Sequence, residues 1–83
     1  MSMPHNTTLG TFDTTDFYLA SYLRCVGYDL LDLRREGTRA VFVFADRPER
    51  RAAVLAFYNS EGGVAPLAFV GSIRDMKALI HNA

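Results

Sequence analysis

The chain has 83 residues, 49% of them hydrophobic, and nine cations against nine anions leave it with no net charge. A chain of this length holds one domain and buries only about 60–65% of its unfolded surface, so a lone monomer is expected to be marginal. One cysteine, Cys25, excludes an internal disulfide. No apolar run approaches the ~18 residues of a membrane helix, and a pI near 6.7 is well below that of the usual basic nucleic-acid-binding domain.

Residues 1–13, with Pro4, Asn6 and several threonines, have no sustained period and read as a flexible arm tied down by Phe12. Their opening lacks the basic start and apolar core of a signal peptide, so the expected location is the cytoplasm. Residues 14–83 read as one domain. From Thr15 the spacing turns helical. Leu19, Tyr22, Leu23 and Val26 form an i, i+3, i+4, i+7 stripe, widened by Phe17 and Tyr18. Thr14 or Thr15 suits the N-cap, Asp16 suits the first turn, and Gly27 suits the left-handed stop. Cys25 sits in this pattern as a small hydrophobe.

A hairpin follows. Val41, Phe42, Val43 and Phe44 are apolar on both sides of a pleated strand, which therefore needs cover on both faces. The turn lies near Glu36-Gly37, and two registers are open. A three-residue loop with Gly37 in a bulge sets Leu31 against Val41, Leu30 against Phe42 and Tyr28 against Phe44. A tighter two-residue loop sets Arg34 against Arg39, a like-charge pair costing up to ~1 kcal/mol without an anion to bridge it. In the step to the next helix, Asp46 suits the N-cap with Glu49 three residues on and Pro48 in the first turn. Val54, Phe57 and Tyr58, with Ala53 and Leu55, supply its buried stripe. Residues 59–63 break it, and Val64-Ala65 is a candidate third strand. Pro66 opens the last helix, with a stripe of Phe69, Ile73, Met76 and Ile80 beside Leu79. Gly71 weakens that helix by about 1 kcal/mol or admits a neighbouring backbone.

The fold expected is α+β: a small α-β-β-α-α domain with an antiparallel hairpin packed on helices. A bare hairpin is marginal and an uncovered apolar strand invites pairing. Either Val64-Ala65 joins the sheet edge, or two chains pair their strands in a homodimer.

Several spaced motifs bear on kinship: T-x-D-F-Y-L-A over residues 14–20, a glycine–aromatic–x-L-L-D step over 27–32, F-V-F-x-D-x-P-E over 42–49, and F-x-N over 57–59. Together they resemble a family of short bacterial and phage proteins known as domain of unknown function 5659, over about residues 14–81. The resemblance brings no activity. It implies association with mobile genetic elements, and a larger mobile-element protein is accordingly an expected partner.

Catalytic sets are missing: His5 and His81 lie at opposite ends, no metal-ligand spacing occurs, and no phosphate-binding loop is present. The expectation is therefore no enzyme, no cofactor and no metal. Charge is uneven, however. Residues 1–33 carry a balance of −3 and residues 34–51 a balance of +3. Arg34, Arg35 and Arg39 near the hairpin tip, with Arg47, Arg50 and Arg51 at the next helix start, are candidate DNA or RNA contacts. Interleaved Glu36, Asp46 and Glu49 argue for the competing reading, a solvated face that pairs internally. The functional expectation is a non-catalytic accessory module binding nucleic acid through these arginines. The alternative is a protein–protein adaptor that docks through a strand edge or the last helix.

Overall fold

Helix and strand positions follow the hydrophobic pattern over residues 10–82, the residues that the computed structural model describes. The elements are β1 (Thr11–Thr14), α1 (Phe17–Cys25), β2 (Leu30–Glu36), β3 (Arg39–Ala45), α2 (Arg50–Tyr58) and α3 (Pro66–Asn82). The expected α-β-β-α-α order is present, and the protein is a small α+β domain. One further strand precedes it. Residues 11–13, expected in the arm, pair as part of β1, and residues 1–9 of that arm lie outside the described residues.

The sheet is antiparallel with order β1-β3-β2, so β3 lies at its centre. This corrects the expected third strand: Val64-Ala65 is not in a strand, and β1 takes the open side of β3. The four residues from Val41 to Phe44 are all buried. Phe42 and Phe44 face the helices and join Leu19, Ala20, Leu23, Tyr28 and Met76 in the core. Val41 and Val43 point to the opposite face, outside that cluster. There they are shielded by neighbours on the flanking strands: Asp13 pairs with Val43, Arg34 pairs with Val41, and the Arg34–Asp13 ion pair bridges from β2 to β1 over β3. The long arginine stem can lie on apolar surface while its head stays wet.

Neither anticipated hairpin register occurs. Glu36 pairs with Arg39, Arg35 with Ala40, Arg34 with Val41 and Leu33 with Phe42. The loop is Gly37-Thr38, with φ 64° at Gly37 and no positive φ at Thr38, as a type II′ turn requires of its first central residue. This register puts opposite charges across the turn and avoids the Arg34–Arg39 pairing. An irregularity between Leu30 and Asp32 then takes up one residue, so Leu30 rather than Leu31 meets Phe44.

Both helix caps also differ from expectation. Asp16, not a threonine, is the N-cap of α1, accepting from the Tyr18 and Leu19 N–H groups. Thr14 instead accepts from the Asp16 N–H. Asp46 does not cap α2, which starts after Glu49. Its carboxylate accepts from the Arg47 N–H and binds the Arg50 side chain, four residues on. Pro48 and Glu49 form the turn that leads into the helix, with Glu49 at its N-cap. Leu55 and Tyr58, expected in the buried stripe of that helix, are exposed. Gly27 has φ 100° and ends α1 as expected, leaving Val26 at the exposed C-cap.

One glycine is required by packing. A Cβ on Gly62 would lie 2.6 Å from the Tyr22 hydroxyl oxygen and 2.7 Å from its ring carbons, and that ring is held at 5.3 Å from Phe57. A Cβ on Gly71 would meet nothing within 4 Å. We therefore expect Gly62→Ala to destabilise by about 1–3 kcal/mol through overpacking. Gly71→Ala should stabilise by up to about 1 kcal/mol through helix propensity. Urea unfolding followed by circular dichroism measures both.

Candidate functional site

The six candidate arginines divide into two groups. Arg34, Arg35 and Arg39 lie at the turn end of β3, and Arg47, Arg50 and Arg51 follow its other end. Six residue steps of strand separate Arg39 from Ala45, about 20 Å. The strand that supports both groups keeps them apart.

Four of the six have work inside the fold. Arg34 Nη2 donates to Asp13 Oδ2 and Glu36 Oε2, each at 3.1 Å. Arg35 lies on the helix-bearing side, and its Nη2 donates to the Ile80 carbonyl in the last turn of α3 at 3.0 Å, where a cation complements the helix dipole. Arg47 pairs with Glu49 at 2.8 Å and sits 4.6 Å above the Tyr28 ring. Its Nη1 also donates weakly to the Gly27 carbonyl just after α1. Arg50 binds Asp46 through two nitrogens and sits 4.4 Å above the Phe12 ring, fastening β1 to the start of α2. Such stacked and forked contacts suit a guanidinium. Arg39 and Arg51 make no ion pair or side-chain hydrogen bond among the described residues, and they belong to opposite groups.

Ionisation follows the same contacts. The Arg50 side chain, with the Arg47 N–H, holds the Asp46 carboxyl below its ordinary value against the pull of burial. At Asp16 burial pushes the carboxyl up, but the Tyr58 hydroxyl and the Leu19 and Tyr18 N–H groups outweigh it and leave it lowered. The Tyr58 hydroxyl, donating to Asp16 Oδ2, is raised in turn. Asp16 thus caps α1 and ties down the last residue of α2. Among the described residues no group of three His, Cys, Asp or Glu side chains is placed to hold a metal ion, and no helix is long and apolar enough to cross a membrane.

A different surface stands out on α3. Met76 is in the core, Phe69 and Ile80 pack against it, and Ile73 of the same stripe is half-buried. At about 100° per residue, Leu67, Val70, Gly71, Arg74, Lys77, Ala78 and His81 share a third of the helix that flanks this stripe, with the exposed Asp75 just beyond it. Leu67 is 84% exposed and Val70 45% exposed, and open space flanks Gly71 between them and Arg74. Arg74, Lys77 and His81 are exposed further along. The face is apolar and notched at its N-terminal half, basic at its C-terminal half. The core stripe alone accounts for the periodicity of α3, so periodicity marks the helix but not this face. Leu67 and Val70, which fall outside that stripe and have no inward role, are the sequence signal for it.

Comparison with known proteins finds one family. Residues 10–82 match the family model described as Domain of unknown function (DUF5659). No curated protein and no solved structure matches the chain.

Because the Asp16 and Asp46 carboxyls are lowered in the folded state, their contribution is present above the unfolded value, near 3.9. It is lost as pH falls through the lower folded value. Thermal unfolding should therefore occur at lower temperature below about pH 4, and Asp16→Asn with Asp46→Asn should flatten that dependence. At pH 7, Asp16→Ala should cost about 1–2 kcal/mol through loss of the cap.

Proposed function

The chain belongs to the family described as Domain of unknown function (DUF5659), and within it we propose a non-catalytic docking module that binds a helical segment of a partner protein along the exposed face of α3. One observation carries the reading: Leu67, 84% exposed, stands beside Val70 and the open notch at Gly71. Covering a leucine or valine side chain in full is worth roughly 1.5–3 kcal/mol each. Helices that meet over small side chains approach to the near end of the 8–10 Å range. Gly71 lowers helix propensity without serving the core, so close approach of a second backbone gives it a use. Arg74, Lys77 and His81 along the same face call for acidic residues on the incoming helix, whose apolar side would recur at i, i+3 and i+4. A larger mobile-element protein, the partner that resemblance to this family implies, would supply that helix.

The split arginine set favours this docking over nucleic-acid contact. A phosphate backbone drawn to Arg34, Arg35, Arg47 and Arg50 would compete with Asp13, Glu36, the Ile80 carbonyl, Glu49 and Asp46, which already hold them. Only Arg39 and Arg51 would come without such competition among the described residues, and they lie at opposite ends of β3.

The test has two arms. Proteins retained by the immobilised chain from its native host are identified, and the complex is rebuilt from purified components. Leu67→Asp with Val70→Asp should weaken the rebuilt complex at least tenfold, whereas Arg39→Ala with Arg51→Ala should leave it unchanged. Labelled DNA and RNA are titrated separately at two salt concentrations. Tight binding that falls steeply with salt, and that the arginine substitutions abolish, would overturn the docking reading in favour of nucleic acid.

A further inference from the structure

The free edge of β2 has a feature that neither the hairpin nor the α3 face uses. In a two-residue hairpin closed by the Glu36–Arg39 pair, residues 36, 34 and 32 turn their N–H and C=O groups toward β3, and residues 35 and 33 turn theirs outward. The Leu33 N–H accordingly finds its partner outside the ladder, donating to Asp32 Oδ1 at 2.8 Å. An outward edge of this kind is a template for another strand.

We propose that the strand it receives is β2 of a second copy, antiparallel and centred on Leu33, joining two three-stranded sheets into one of six. The charge pattern carries the choice. A two-fold axis normal to the sheet keeps both sets of helices on one side and pairs residues symmetrically about one position. Centring on Leu33 sets Asp32 opposite Arg34 of the second copy, twice over. Centring on Asp32, Arg34 or Arg35 sets that residue against its own copy, like charge on like. In the Leu33 register each Leu33 N–H passes from Asp32 to the Leu33 carbonyl of the second copy, which frees Asp32 for the facing arginine. Arg34 uses only Nη2 for Asp13 and Glu36, so Nε and Nη1 remain to meet that carboxylate. Apolar surface flanks the same edge: Leu31 is 57% exposed at the bulge, and Leu79, exposed on α3, lines a cleft with Leu30 and Met76.

Sedimentation equilibrium of the full chain tests this, with circular dichroism as a check on folding. The wild-type chain should show a concentration-dependent dimer mass. Asp32→Arg gives up only the contact to its neighbour's N–H in the fold, and it should raise the dimer dissociation constant at least tenfold. Arg34→Glu should do the same. Mixing Asp32→Arg with Arg34→Glu restores opposite charges at both positions of the mixed pair, so association should return, which a merely structural defect would not produce. If Arg34→Glu does not fold, hydrogen exchange at the Leu33 amide replaces the mixing arm: it should slow as wild-type concentration rises. A mass that stays monomeric at hundreds of micromolar overturns the proposal. So does a dimer indifferent to Asp32→Arg, or exchange at Leu33 that ignores concentration. None of these variants touches the α3 face, so failure here leaves the docking reading to its own test.

Discussion

A strand that is apolar on both faces constrains everything else in this domain. β3 cannot lie at an edge without exposing its ladder, and it cannot lie open on either side without exposing valine or phenylalanine. The protein meets the first demand with β1 and β2 on its two sides. Three helices then cover the phenylalanine face, and a bridge of charged side chains spans the valine face. The unusual part is the second cover. A sheet face without helices ordinarily alternates toward water, yet here two valines are buried beneath an arginine that crosses the sheet to an aspartate.

That solution explains the arginine content. Arg34, Arg35, Arg47 and Arg50 each join two elements: β2 to β1, β2 to α3, the step after β3 to the end of α1, and α2 to β1. In a domain with a core this small, planar forks that also stack on rings add contact at the periphery, where hydrophobic burial runs out. Exposed pairs contribute little singly, but those at Tyr28 and Phe12 also cover aromatic faces. Among the described residues only the Arg34–Asp13 pair joins the basic middle to the acidic first third; Arg34–Glu36, Arg47–Glu49 and Arg50–Asp46 close within the middle itself.

The surfaces left over are then few, and they differ in kind. The β2 edge presents backbone groups and alternating charge, suited to a strand of defined register. The α3 face presents side chains only, with an apolar notched half and a basic half, suited to a helix.

Much of the fold was legible in the residues themselves. The stripes of α1 and α3, the glycine stop at Gly27, the doubly apolar strand and the order of the elements are local patterns, and local geometry dictates them. Kinship was legible too, since its motifs are strings of neighbours. Register was not: Glu36–Arg39 pairing and the irregularity at Leu31 depend on how the core seats Leu30 and Leu33, which the turn residues do not encode. The strand at Thr11–Thr14 was invisible for the same reason, because four polar-rich residues become a strand only when a bare edge awaits them. The arginines show the limit most clearly. Their number and charge are properties of the chain, but whether a guanidinium is a clasp or a free contact depends on residues as far as 45 positions away, as Arg35 and Ile80 are, and only the folded arrangement brings those together.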